Sequence, residues 1–225
     1  MKSFAQVLFA LSLLLSSSQV FALDHDFGSW QGFFAQGNIS EESPWGYFLE
    51  AQQRVGRDQS SLNRLLLRWA VRYQLQPGLF LYAGHAWTPN MAPFRDEHRY
   101  WQQVQYNFKW EDRPVTLRFR QEQRDIEDTG GNAHRSRLLI RTVVPRNDSV
   151  FNWAIWDEYF YNLNTVERGP EAGFDQNRFF VGPSFPVHGG KVLIEPGYMN
   201  VYTNRSRRSE DISFHVFTVY AFMNF

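Results

Sequence analysis

The sequence predicts an all-β chain closed into a transmembrane antiparallel up-and-down β-barrel of ten strands, with twelve as the next best count. Three observations carry that expectation. In the C-terminal stretch Asp211 to Phe225, Phe217, Val219, Ala221, Met223 and Phe225 fall on one face, and Thr218, Tyr220, Phe222 and Asn224 on the other. A period of two is that of a strand, and an apolar stripe ending on an aromatic residue suits a strand that meets lipid on one side. Second, beyond the N-terminal leader no run of 18 apolar residues occurs, so a membrane-integral chain has to be a closed barrel in which every backbone group finds a partner. Third, the connectors alternate in length, short then long, as periplasmic turns and surface loops do. An edge strand of a secreted β-sandwich is the competing reading of the C-terminus, but a sandwich has no reason to sort its loops this way.

The elements follow in order. Lys2, the apolar run Phe4 to Leu15, and Ser16 to Ala22 with small Val20 and Ala22 read as a cleaved secretory signal, residues 1–22. The barrel then occupies residues 23–225, and the expected location is the Gram-negative outer membrane. Candidate strands are Asp26 to Ile39, Trp45 to Val55, Asn63 to Leu75, Leu79 to Thr88, His98 to Trp110, Val115 to Arg124, Arg135 to Val144, Phe151 to Asn162, Gln176 to Phe185, Val192 to Tyr202 and Ile212 to Phe225. Each is close to the ~9 to 11 residues that a tilted strand needs to cross the hydrocarbon. Short connectors are Leu75 to Gly78, Glu111 to Arg113, Pro145 to Ser149 and Pro186 to Gly190; long ones are Pro89 to Glu97, Asp125 to His134 and Leu163 to Asp175. Counting back from a periplasmic C-terminus gives ten strands from Trp45 onward. Asp26 to Ile39 is then an eleventh segment that parity does not place: it lines the lumen, pairs irregularly at the seam, or marks a miscounted crossing.

Alternation sorts the faces. Leu65, Leu67, Trp69, Val71 and Tyr73 oppose Arg64, Arg68 and Arg72; Val115, Leu117 and Phe119 oppose Arg118, Arg120, Glu122 and Arg124; Leu138, Ile140 and Val144 oppose Arg137 and Arg141. An arginine facing lipid at the midplane costs about 2 to 4 kcal/mol, so the arginines are expected to point inward. Composition agrees with a confined interior. Of the 23 basic residues only Lys2, Lys109 and Lys191 are lysine, and arginine keeps its charge and binds carboxylate or phosphate with two parallel bonds. The formal net charge of +0 points to no class of partner, and the absence of cysteine predicts neither a disulfide framework nor a lipid anchor.

With the strands laid out, Glu97 to Gln103 (EHRYWQQ), Leu117 to Arg124 (LRFRQEQR), Arg137 to Arg141 (RLLIR), Phe174 to Arg178 (FDQNR) and Glu195 to Asn200 (EPGYMN) resemble the motifs of a Gram-negative outer-membrane family, the domain of unknown function numbered 2490. The motifs span most of the chain after the leader. The resemblance implies an outer-membrane barrel and no activity. Pro196 stands where an apolar residue is commoner and predicts a local irregularity.

Tallied by face, the lumen receives Arg54, Arg64, Arg68, Arg72, Arg99, Lys109, Arg118, Arg120, Arg124, Arg137, Arg141 and Arg178 against Glu50, Glu122, Glu158 and Glu195. Arginine with glutamate is common filling for a small barrel. Yet unpaired charge in a dry interior is too costly to keep, so further acids must come from loops or from the N-terminal segment, or the lumen holds water and anions. That second option makes a small anion-selective pore or an anionic-ligand binder the expected function. The alternative is an acyl hydrolase. His134 and Ser136 lie two apart on an outward face, which resembles the His-x-Ser pair of outer-membrane phospholipase A and lipid A deacylase, and antiparallel pairing across the Pro145 to Ser149 turn is expected to put Asp157 close to Ser136 on the same face as the orienting acid. Ser213 and His215 repeat the pattern and show how readily it arises. The six histidines lack metal-ligand spacing, no phosphate-binding loop leads from a strand into a helix, and no cofactor or nucleic acid is implied. Expected partners are outer-membrane lipids with lipopolysaccharide, the barrel assembly machinery and small anions.

Overall fold

The computed structural model describes residues 23–56, 61–91, 93–147, 149–205 and 210–225; the signal expected over residues 1–22 lies outside the described residues. Eleven long strands form one closed sheet: β1 (Leu23–Asn38), β2 (Trp45–Gly56), β3 (Ser61–Gln76), β4 (Leu79–Trp87), β5 (Glu97–Trp110), β6 (Arg113–Ile126), β7 (Asn132–Val144), β8 (Asn152–Asn162), β9 (Gly173–Val187), β10 (Val192–Thr203) and β11 (Asp211–Asn224). Two residue pairs, Asn90–Met91 and Phe94–Arg95, form a small ladder in the connector after β4 and touch β3 through Arg64 and Asn90. Each strand pairs antiparallel with its sequence neighbours. Closure is different: β1 runs parallel to β11, from Leu23 opposite Asp211 to Gln36 opposite Asn224, while its other edge pairs antiparallel with β2.

This corrects the count of ten. When strands alternate in direction, an odd number leaves the first and the last pointing the same way, so a ring of eleven can close only through a parallel pair. The segment that parity could not place is a full wall strand of 16 residues, and it lies at the seam.

One rim, here the turn end, carries the connectors 39–44, 77–78, 111–112, 145–151 and 188–191. The other, the loop end, carries the connectors after β4, β6 and β8, and there β2 and β10 end and β3 and β11 begin. Two of the turns are only two residues long, and in one of them, Pro77 and Gly78, proline presets φ and Gly78 takes a φ of 81° that a side chain would resist. The connector expected at Asp125 to His134 shrinks to 127–131, because β6 and β7 remain paired out to Asp125 and Asn132. The irregularity expected at Pro196 is real. Pairing between β9 and β10 is interrupted between Val181–Tyr198 and Phe185–Ile194. Proline lacks the donor, and a side chain at Gly182 would come within 2.3 Å of the Pro196 carbonyl oxygen.

Outward positions follow the expected period. Phe33, Leu49, Leu67, Trp69, Val71, Phe119, Leu138 and Phe217 are all exposed, and Trp45, Trp110 and Trp153 stand exposed or nearly so toward the turn end. The interior is asymmetric. One wall is apolar, with Trp30, Ala154, Phe180, Met199, Val201 and Val216 packed together. A second apolar cluster, Ala70, Tyr82, Ala86 and Trp101, sits on β3 to β5, and the rest of the lumen is dominated by arginine and glutamate.

Candidate functional site in the lumen

At the waist the charges interlock. Glu122, with no exposed surface, accepts from Arg135 Nη2 at 2.6 Å and from Arg137 Nη1 at 2.7 Å; Arg137 also grips Glu158 with Nε and Nη2, both at 2.9 Å. Glu158 takes a further bond from Arg118 at 2.5 Å, and Glu50 one from Arg68 at 2.5 Å. Arg120 has no carboxylate so close. Its Nε and Nη2 donate to Gln103 Oε1 at 2.8 and 2.6 Å, and its guanidinium lies 4.3 Å over the Trp101 ring. Nearer the turn end Arg141 is held by Glu195, whose Oε1 also accepts from Ser184. Arg72 bonds Asn38 and lies 5.0 Å from the Phe80 ring.

All the arginines expected inside are inside, and so are the four glutamates. Lys109 shares their parity but stands exposed near the turn-end rim. Three further buried or half-buried charged groups join them. Glu97 accepts from Arg99 and Arg124, each at 2.7 Å; Arg135 is a further inward base; Asp175 takes its Nη1 at 3.0 Å. Glu97 and Arg135 obey the period of two with Arg99 and Arg137 and were readable from it. Asp175 was not, because the bulge in β9 opposite Phe160 and Tyr161 breaks the alternation there. Trp30 was missed too, as it lies on the strand that parity left unplaced.

Two cavities occupy what the ion pairs do not fill. The loop-end cavity, about 550 Å³, is lined by Arg54, Arg64, Arg99, Arg124, Arg135 and Arg178, with Asp26 and Asp175 as its acids. The turn-end cavity, about 380 Å³, has mixed aromatic and cationic walls. Arg54 and Arg178 line both, and their guanidinium carbons stand 4.0 and 5.1 Å from the Trp30 ring, so this arginine–tryptophan–arginine stack marks where the cavities meet. Among the described residues no carboxylate pairs with Arg54, Arg64 or Arg178 within 4 Å. Arg54 bonds Gln52 at 3.0 Å, Arg64 bonds Asn90 at 2.7 Å, and Arg178 bonds Gln176 at 2.7 Å.

Over residues 27–211 the chain matches the model of a family described as a protein of unknown function, DUF2490. The chain belongs to the DUF2490 family. A relative from Methylorubrum extorquens, described as an uncharacterized protein, is 31% identical over 186 residues, 80% of each chain. No solved structure matches.

The hydrolase trio does not assemble in this DUF2490 barrel. His134 is exposed and Ser136 faces outward as expected, but Ser136 lies opposite Tyr161 and donates to Gln121 at 2.7 Å. Asp157 lies opposite Ile140, four residues and roughly 13 Å along the strand, and accepts from Asn177 at 2.8 Å. The cause is the connector 145–151. It is longer than the short turn assumed, and it sets Trp153 opposite Val144, which carries Asp157 past Ser136. The second pair fares no better: Ser213 accepts from Asn200, and His215 sits between His25 and Tyr198. No group of three His, Cys, Asp or Glu side chains suited to a metal occurs among the described residues.

Proposed function

We propose that this DUF2490 chain is a Gram-negative outer-membrane barrel that binds a small anion or an anionic ligand in its loop-end cavity, with the loop end toward the cell exterior and the turn end toward the periplasm. The membrane half of the reading is supported by inverted polarity. Phe33 (60%), Leu138 (58%), Phe217 (56%) and Val71 (54%) offer apolar surface outward while arginines are buried inside. So broad an apolar belt would drive a water-soluble protein to aggregate, whereas lipid and lipopolysaccharide would cover it. Insertion would then depend on the barrel assembly machinery. One observation carries the binding half: Arg54, Arg64 and Arg178 border a cavity in which, among the described residues, their partners are amides and ring faces and no carboxylate lies within 4 Å. A cation kept dry on amides alone is costly, and an anion entering the cavity removes that cost. The ion-paired waist and the Trp30 stack favour a binder over an open pore.

Envelope fractionation tests the location, with a heat-modifiable band in the outer-membrane fraction as the expected result and recovery in the soluble periplasm as the opposite one. Calorimetric titration of the refolded barrel with pyrophosphate tests the ligand class: saturable binding is expected, weakened about tenfold in Arg64→Gln. In planar bilayers the protein is expected to give no steady conductance. A steady anion-selective current would replace the binder with the pore.

A further inference from the structure

The turn-end cavity differs from the loop-end one in the chemistry of its walls. Phe34, Phe48, Leu139, Trp156, Tyr220 and Phe222 supply its apolar lining. Six of its lining residues are arginines, Arg54, Arg68, Arg118, Arg137, Arg141 and Arg178, against Glu50 and Glu158 as its acids. These groups are not mixed at random along the axis. Arg68, Arg137, Arg178 and Glu158 come from the middle parts of β3, β7, β9 and β8, and Arg54 from near the loop-end terminus of β2, so they form the deep end. Gln36, Asn107, Thr116 and Asn224 come from near the turn-end termini of their strands and form the mouth. Between them lie the rings: on β2 alone, Arg54 and Phe48 are six residues apart, roughly 20 Å of strand.

The deep end also has donors to spare. Among the described residues Arg68 Nε and Arg118 Nε are buried without an acceptor, and the Arg68 side chain is only 4% exposed. Each of these arginines already spends other nitrogens on Glu50 or Glu158, so what is missing is an acceptor and not a counter-charge alone. A cavity of about 380 Å³ with aromatic sides and a cationic ceiling is of ordinary size for a small-molecule site.

We propose that the turn-end cavity is a second binding site, distinct from the loop-end one, for an amphiphilic monoanion, a carboxylate on a medium-length alkyl chain. The carboxylate meets the partly exposed guanidiniums of Arg118 and Arg141 on the cationic side, and the chain runs along the ring-lined walls toward the mouth. A small inorganic anion would leave the walls unused, and a neutral or cationic amphiphile would leave the ceiling unsatisfied. The site opens at the turn end, so its ligand reaches it from the opposite side to that of the loop-end cavity.

Full-length barrel held in amphipol, titrated with carboxyl-labelled dodecanoate and followed by the carboxyl carbon resonance, tests this. Saturable one-to-one binding is expected, at least tenfold tighter than that of acetate or of dodecyltrimethylammonium. Arg118→Gln, on a partly exposed side chain, is expected to weaken dodecanoate about tenfold while leaving pyrophosphate at the loop end unchanged. Leu139→Trp, which fills the cavity with apolar bulk, is expected to abolish dodecanoate binding in protein that still shows the heat-modifiable band. Equal binding of acetate, equal binding of the cationic amphiphile, or full dodecanoate binding in the filled variant would each overturn the proposal. Pyrophosphate binding is read separately, so the loop-end site can fail or stand independently of this one.

Discussion

At the waist, Arg68, Arg135 and Arg137 meet Glu50, Glu122 and Glu158 in bonds of 2.5 to 3.1 Å, and every carboxylate there serves at least one guanidinium. Bordering the loop-end cavity, Arg54, Arg64 and Arg178 are also inside the barrel, yet among the described residues their partners are Gln52, Asn90, Gln176 and the faces of Trp30 and Phe160. The residue type is the same and the enclosure similar. What separates the two layers is whether the charge has been cancelled, and that difference turns arginine from filling into a group with binding capacity left over. An amide orients a guanidinium without neutralising it.

The comparison can be broken most severely at Glu122. Glu122→Gln takes one of two carboxylates from each of two buried guanidiniums, leaving Arg135 with Asp175 and Arg137 with Glu158, and breaking a buried pair costs about 3 to 5 kcal/mol. A matching fall in the urea midpoint of the heat-modifiable form is expected; an unchanged midpoint would mean that the waist is hydrated and no different from the cavity above it. Trp30→Leu acts on the boundary between the layers. It removes a ring that two guanidiniums share, about 1 to 2 kcal/mol in all, and is expected to let a measurable current through a barrel that is otherwise closed. Silence in planar bilayers would place the seal at the ion pairs instead. Arg64→Gln should be the mildest, costing stability less than about 1 kcal/mol because only a bond to Asn90 is lost while an uncancelled charge is relieved. A large loss of stability there would show that Arg64 is filling after all.

Much of this interior was legible before any coordinates. Arg64, Arg68 and Arg72 on β3, Arg118, Arg120 and Arg124 on β6, and Arg137 and Arg141 on β7 repeat at two or four residues, and period two assigns a face without knowledge of the neighbouring strand. What escaped was either an interruption of the period or a matter of register. Asp175 escaped because a bulge shifts it, and Asp157 was misplaced because a connector longer than assumed slid the pairing along. The strand total was wrong for a third reason. Antiparallel alternation is a local rule, whereas the way a ring closes depends on the relation between its first and last members, and no window of sequence contains both.

The parallel seam has a consequence for how such a ring changes over evolutionary time. Gain or loss of a hairpin alters the number of strands by two and preserves parity, so repeated hairpin duplication never converts an even ring into one of eleven. A single strand has to arrive or depart by itself. Without β1, the edges of β2 and β11 that flank it would face one another in opposite directions, and the remaining ten strands could close by ordinary antiparallel pairing. The same holds for β11, whose loss would bring β10 antiparallel against β1, so the odd parity resides in the two seam strands, of which β1 brings Trp30 with it.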